Sequence, residues 1–284
     1  LISAIVYALI CIVGLVGNGL VIFVITRYTK MKTVTNLYIL NLSIADLLFI
    51  LGLPLLITTT LMQGWPFGYA CCKIYYMLTC INMFTGAFTL TVMSGDRFLA
   101  VCYPINSMRY RTPKYALIVI ALTWIISFLV MMPIVLYAQS IKRTGGYTCS
   151  IKWPSTSAVQ SWKVFTLYNL ILGFVIPVLL ISILYTLLIV RLRTTASSIK
   201  RRPHRKVTRL VSLIIGVYII CWLPYWAFQV HLITLPTGTN MPKWKINMFK
   251  VFTMLSYANS MINPLLYAFT NDNFRESFIS AFKC

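Results

Sequence analysis

The chain has 284 residues, with 25 Lys plus Arg against 4 Asp plus Glu, for a net charge of +21. Yet 59% of it is hydrophobic, only 10% is charged, and its mean hydropathy is +0.82. A soluble enzyme needs far more charge of both signs on its surface, and a basic nucleic-acid binder is not this apolar. A membrane protein resolves the conflict, because lipid accepts the apolar excess while Lys and Arg collect in cytoplasmic loops. No nucleic-acid partner is expected.

Seven apolar stretches follow in order, at about 4–28, 35–62, 71–102, 115–138, 163–191, 207–234 and 247–269, with ends good to roughly two to four residues. Most reach the ~20 residues that cross a ~30 Å hydrocarbon layer. Pro54, Pro133, Pro177, Pro224 and Pro264 lie inside them. Such a proline costs ~3 kcal/mol in a soluble helix, whereas in a membrane bundle a neighbouring helix or water can meet the freed carbonyl. No repeat or linker divides the chain. Residues 1–284 are therefore expected to form one all-α domain, a bundle of seven transmembrane helices.

Sorted by loop, 17 basic residues fall on the side of the first, third and fifth loops and 8 on the other. The positive-inside bias puts the first set in the cytoplasm and the N-terminus outside. No leader peptide is visible in these residues, and N- and C-terminal tails are expected to lie beyond them. After the seventh stretch, Phe274, Phe278 and Phe282 recur every fourth residue. Residues 271–284 thus predict a short amphipathic eighth helix on the inner leaflet. Cys284 is either a lipid-attachment site or a free terminal thiol.

Each stretch also carries a short motif. Gly17-Asn18 is in the first, Leu42-Ser43-Ile44-Ala45-Asp46 in the second, and Asp96-Arg97-Phe98 ends the third. Trp124, Pro177, Cys221-Trp222-Leu223-Pro224 and Asn263-Pro264-Leu265-Leu266-Tyr267 follow in the remaining four. Seven in order, one per helix, resemble the rhodopsin-like G-protein-coupled receptors over nearly the whole chain. Trp65-Pro66-Phe67-Gly68, Met93-Ser94, Ile151-Lys152-Trp153-Pro154 and Ser256-Tyr257-Ala258-Asn259-Ser260 are similar to the somatostatin and opioid branch. Within that branch the somatostatin receptors match more closely, and their invertebrate relatives, the allatostatin-C receptors, are the preferred match.

The resemblance implies a plasma-membrane neuropeptide receptor that activates an inhibitory heterotrimeric G protein and is regulated by arrestin. It has no chemistry of its own, and the ligand expected is a disulfide-cyclised, aromatic-rich peptide. A somatostatin or opioid receptor paralogue with another peptide ligand is the alternative. A transporter or channel would tend to show internal repeats and charged midplane paths, and neither is visible. An opsin needs a Schiff-base lysine where Tyr257 stands, and Lys250 lies two turns too far out. A single intramembrane acid is not a catalytic dyad, so an intramembrane enzyme is disfavoured.

By the same resemblance, Cys72 and Cys149 form the disulfide that ties the second extracellular loop to the third helix, although Cys71 next door is an alternative partner. Closing that loop would remove roughly 4 kcal/mol of unfolded-chain freedom. Cys11, Cys80, Cys102 and Cys221 lie in apolar runs and read as small buried hydrophobes. No spacing of His and Cys suggests zinc.

Asp46 is the one acid in the apolar middle of a helix, a costly placement that marks a functional site. Family resemblance makes it a sodium site with Asn82, Asn259, Ser260 and Asn263, where Gly86 replaces a common serine hydroxyl. Its other reading is a hydrogen bond to Asn18 and Asn263. Arg97 is implied to be held by Asp96 at rest and to meet the G protein and Tyr185 when active. The base of the sixth helix has no acid, so Thr208 is the expected restraint on Arg97. Trp222, two residues before the Pro224 kink, and Tyr267 are implied to move with activation.

Helical spacing lines up Thr79, Asn82 or Met83, and Gly86 on the third helix, and Trp222, Tyr225 and Gln229 on the sixth. Leu56 and Tyr257 join this ligand pocket by family position. Amine, opioid and somatostatin receptors resemble one another in carrying Asp where this chain has Thr79. The four acids are Asp46, Asp96, Asp272 and Glu276, none in the extracellular half. A buried ligand cation would stand unpaired there. The expected pocket takes apolar, aromatic and amide groups, under a basic rim suited to a carboxylate. The Asn41-Leu42-Ser43 sequon falls within a helix and is discounted.

Overall fold

The computed structural model describes residues 2–143, 145–153, 158–194, 202–236, 241–270 and 274–276. The first span is α1 (Ile2–Arg27), and the second is made of α2 (Val34–Ile50) and α3 (Leu53–Met62). α4 (Gly68–Cys102) is the third, followed by the short α5 (Pro104–Ser107). The fourth joins α6 (Pro113–Val130) to α7 (Met132–Tyr137), and a hairpin of β1 (Ala138–Arg143) and β2 (Gly146–Ile151) follows. The fifth runs through α8 (Ala158–Leu170), a π-helical turn (Ile171–Val175) and α9 (Ile176–Thr194). α10 (Arg202–Thr234) and α11 (Lys243–Thr270) are the sixth and seventh. Every predicted apolar stretch therefore falls on one helical span.

Six of these spans are long and apolar enough to cross a membrane. α11 has the length, at 28 residues, but its middle is diluted by Ser256, Asn259, Ser260 and Asn263, all buried. Those polar groups face the bundle, not lipid. α6 shows the opposite distribution. Leu117, Ile118, Leu122, Ile125, Ile126 and Leu129 are all exposed on it, a face that only a hydrocarbon layer satisfies.

The interior prolines interrupt the second, fourth and fifth spans, and side chains from other helices repair most of the damage. Pro177 has no N–H for the Gly173 carbonyl, and the Tyr218 hydroxyl of α10 donates to it at 2.9 Å. Pro264 leaves the Ser260 carbonyl free, and Asn18 Nδ2 of α1 donates to it at 2.9 Å. Near Pro133, the Tyr168 hydroxyl donates to the Val130 carbonyl at 2.9 Å. The Cys11 thiol lies 4.0 Å from the Ile50 carbonyl that Pro54 vacates. Each kink thus becomes a tie between spans, because a carbonyl left bare in lipid would cost several kcal/mol. Gly17 belongs to the same device: a Cβ there would sit 3.0 Å from the Pro264 Cβ. Only glycine lets α1 lie against that kink.

α4 is the central rod, packed against α2, α6, α9 and α10. Asn41 binds three spans together, accepting from Trp124 Nε1 at 2.7 Å and donating to Thr89 Oγ1 at 2.8 Å. It is 3% exposed, which removes the sequon as a glycan acceptor. The hairpin was not anticipated, because its strands are short and carry no clean alternation. Its register sets Ser140 opposite Cys149 and Ala138 opposite Ile151. Cys149 is joined to Cys72, and Cys71 stays free. Trp65 supports the other side, its N–H donating to the Tyr147 carbonyl at 2.7 Å. Phe274, at the start of the expected eighth helix, is fully buried with its ring 6.0 Å from Tyr267. Phe278, Phe282, Asp272 and Cys284 lie outside the described residues.

Candidate functional site

A cavity of about 410 Å³ opens between α3, α4, α8, α10 and α11 beneath the hairpin. Thr79, Met83, Trp222, Tyr225 and Gln229, which helical spacing aligns, line it together with Leu56 and Tyr257, which the family resemblance placed there. Asn82 does not. One residue along a helix is a turn of about 100°, so Met83 faces the large cavity and Asn82 a smaller one below. The structure adds a wall that the sequence reading missed, Trp162, Phe165, Thr166 and Asn169 of α8. Their spacing of i, i+3, i+4 and i+7 was the available signal. Phe249, Thr253 and Ser256 complete the α11 side. Cys80 also lines the cavity and is only half-buried, unlike Cys11, Cys102 and Cys221.

The walls are aromatic and orderly. Phe49 stacks on Tyr257 with ring centres 4.0 Å apart, and Trp222 stacks on Phe49 at 6.2 Å. The Tyr225 hydroxyl accepts from Gln229 Nε2 at 2.9 Å, fixing both side chains. Among the described residues, no Asp, Glu, Lys or Arg lines the cavity. The expected basic rim therefore lies outside the walls. Lys73 donates to the carbonyls of Val135 and Leu136 at the C-terminal end of α7, where a cation complements the helix dipole. Lys245 is engaged with His231 Nε2 at 3.1 Å.

Trp222 and Met83 are shared between this cavity and the small one of about 10 Å³ below it, which is also lined by Asp46, Asn82, Gly86, Asn259 and Asn263. Asp46 is 2% exposed and accepts three hydrogen bonds. Ser260 Oγ donates to Oδ1 at 2.6 Å, Asn82 Nδ2 to Oδ1 at 3.0 Å, and Asn263 Nδ2 to Oδ2 at 2.8 Å. Asn18 does not reach it, being spent on the Gly14 and Ser260 carbonyls. Gly86 faces space, with only Leu42 Cδ1 within 4 Å of where a Cβ would be. Asn263 Oδ1 is buried there without a partner. A carboxylate and an unpaired amide oxygen border room for about one water-sized occupant, and such oxygens are the donors a small hard cation takes.

At the C-terminal end of α4, Arg97 Nη2 bonds Asp96 Oδ2 and, at 2.5 Å, the Thr35 hydroxyl. The hydroxyl partner is thus on α2 and not Thr208 of α10, because the guanidinium, held down by the adjacent carboxylate, is drawn toward α2. Asp96 holds a second cation, Arg111, with Nε to Oδ1 at 2.7 Å and Nη2 to Oδ2 at 3.3 Å. Tyr185 is half-buried near Arg97. Tyr267 is fully buried between the Asp46 region and Phe274.

Seven helical spans, an aromatic cavity under a disulfide-tied hairpin and a guanidinium–carboxylate cluster at the far end define a helical membrane receptor. The model for the "7 transmembrane receptor (rhodopsin family)" matches residues 17–267. The chain belongs to that family. It is 44% identical over 279 residues to mouse "Somatostatin receptor type 2", covering 96% of this chain and 74% of the relative. It is 44% identical over 276 residues to bovine "Somatostatin receptor type 5", covering 96% and 73%. For rat "Somatostatin receptor type 4" the figures are 41% over 283 residues, 96% and 70%. Membership in a receptor family excludes an enzyme and makes this a multi-pass protein of the plasma membrane.

Proposed function

We propose that the protein is a cell-surface neuropeptide receptor of the allatostatin-C and somatostatin-like kind, with its N-terminus outside, that activates an inhibitory heterotrimeric G protein. The observation that carries this reading is the uncharged aromatic cavity, in which Thr79 stands where amine, opioid and somatostatin receptors resemble one another in having Asp. Such a cavity favours a disulfide-cyclised, aromatic-rich peptide over one that depends on a buried ammonium group, which would find no ionic partner. Similarity to somatostatin receptors over 96% of the chain supports a peptide ligand and a G-protein partner. It also keeps a somatostatin or opioid peptide as the second reading.

The signal is proposed to pass through Trp222 and Met83, the two residues common to both cavities. Ligand pressing on Trp222 turns α10 about Pro224, where the helix lacks one backbone hydrogen bond. The inner ends of α9 and α10, with Tyr185 and Thr208, then part from α4. Arg97 leaves Asp96 and Thr35 to meet Tyr185 and the G protein, and arrestin is expected on the same face. Asp46, Ser260 and Asn263, with Asn82 and Asn259 nearby, would hold a sodium ion in the inactive state. Its role is to balance the Asp46 charge.

The test is a cell-based assay of cAMP inhibition with allatostatin-C, somatostatin and an opioid peptide. Allatostatin-C is expected to act at the lowest concentration. A response to the opioid peptide alone would overturn the reading.

A further inference from the structure

The hairpin above the cavity has a strand edge with backbone groups to spare. In an antiparallel pair, residues that bond the partner strand alternate with residues whose N–H and C=O point away from it. The Lys152 N–H donates to the Tyr137 carbonyl at 2.9 Å, and the register steps by two from there. Gly146, Thr148 and Ser150 therefore bond β1, while Tyr147, Cys149 and Ile151 turn their backbone outward. The Tyr147 carbonyl fits this sense, since it is the one that accepts from the Trp65 N–H. Among the described residues, none bonds the outward N–H and C=O of Cys149 or Ile151.

This edge belongs to the cavity mouth. Ile151, the last residue of β2, lines the cavity. Cys149, two residues earlier, is on the same face of the strand, and its bond to Cys72 turns that face toward α4. Both residues are only half-buried, so the strand keeps accessible surface there. A peptide entering an uncharged aromatic cavity brings backbone N–H and C=O groups that need partners, and the free edge of β2 offers both kinds at the entrance.

We propose that an extended segment of the bound peptide pairs with β2 at Cys149 and Ile151, as a third strand of the hairpin. This deepens the peptide-receptor reading and rests on it. In antiparallel pairing, the more stable sense per residue, one ligand residue exchanges hydrogen bonds with Cys149. A second, two positions away, exchanges them with Ile151. Residues directly opposite one another share a face, so these two ligand side chains enter the cavity and the one between them points away. Main-chain bonds then give affinity, and the alternate side chains give selectivity. Trp65 closes the edge at Tyr147, so the paired segment is about three residues, or ~10 Å of extended chain, within the span of a disulfide-cyclised ring.

Two measurements test this. On the receptor, Ile151→Pro removes the outward N–H while leaving the β1 ladder intact, as an edge strand tolerates, and Ile151→Ala controls for the lost side chain. In the cAMP assay with allatostatin-C and somatostatin, Ile151→Pro is expected to need about tenfold more peptide than Ile151→Ala. Equal potency in the two variants would return the edge to solvent or to another copy of the chain, and would overturn the pairing. The second measurement uses the wild type alone and so decides the matter even if Ile151→Pro does not fold. The same peptides are scanned one position at a time, by backbone N-methylation and separately by alanine. Two ring residues separated by one are expected to lose about tenfold in both scans, with the residue between them insensitive in both. Sensitive positions that are adjacent, or that differ between the scans, would refute the strand pairing and leave the peptide-receptor reading standing. No response of the wild type to either peptide would remove that reading, and the pairing with it.

Discussion

Thr79 is a single residue whose chemistry selects a class of ligand. Its hydroxyl is already satisfied, donating to the Tyr75 carbonyl at 2.9 Å, so it presents a neutral wall to the cavity. Thr79→Asp would place a carboxylate among aromatic rings with no cation within the lining. The native peptide is expected to lose at least about tenfold in potency, which corresponds to ~1.4 kcal/mol. Concentration–response curves measure this, and unchanged potency would show that Thr79 does not face the ligand. Asp46 is the second decisive residue. With sodium held there, added sodium should lower agonist affinity in wild-type membranes and have no effect on Asp46→Asn. Radioligand competition with and without sodium reads the difference, and an equal response in both proteins sinks the cation site. Leu56, Thr79, Met83, Trp222, Tyr225, Gln229 and Tyr257 were legible in the sequence because helical period and family position coincide. Spacing left Asn82 and Met83 open for the ligand face because it does not fix a helix's rotation; Met83 takes that face and Asn82 the place beside Asp46 that the resemblance implied.

At the scale of elements, proline governs. Each of the ties at Gly173 and Ser260 joins a kinked span to another helix through one side chain. Tyr218→Phe removes the donor to the Gly173 carbonyl and is expected to destabilise the receptor by about 1–3 kcal/mol. Adding Pro177→Ala supplies a backbone N–H and should recover part of that loss. Thermal melts in detergent compare the two, and a full-size loss with no recovery would show that the tyrosine acts by packing alone. A second element-level device is the grip on α4 at its C-terminal end, where Asp96 is shared by Arg97 and Arg111. Arg111→Gln leaves the carboxylate wholly to Arg97 and should lower ligand-independent signalling. Basal cAMP reports this, and a rise in basal signalling would reverse the assigned role of Arg111. Apart from the Asp96–Arg97 pair, which the family resemblance implied, none of these ties could be read in the sequence. A proline announces a bare carbonyl but does not say which neighbour meets it.

For the whole molecule, composition sets the medium and tertiary packing sets the use. The lipid-facing surface of α6 and the polar inner face of α11 are two halves of one inside-out arrangement, and α11 is the span whose hydropathy suffers for it. The loop charges predict that the N-terminus is outside. An epitope tag placed there should be stained on intact cells, and staining only after permeabilisation would invert the topology. Because Cys72–Cys149 pins the hairpin above the cavity, Ile151 becomes part of the wall. Residues distant in sequence thereby close a pocket mouth.

By itself, the sequence determined the membrane class, the seven spans, the family motifs and the absence of an acid in the half that the loop charges assign to the outside. All of these follow from composition, period and short local patterns. The tertiary structure alone decided which carbonyls the side chains repair, that Thr35 and not Thr208 holds Arg97, and that the α8 face walls the cavity. These depend on helix rotation and on contacts between segments far apart in the chain, and hydropathy carries no information about either.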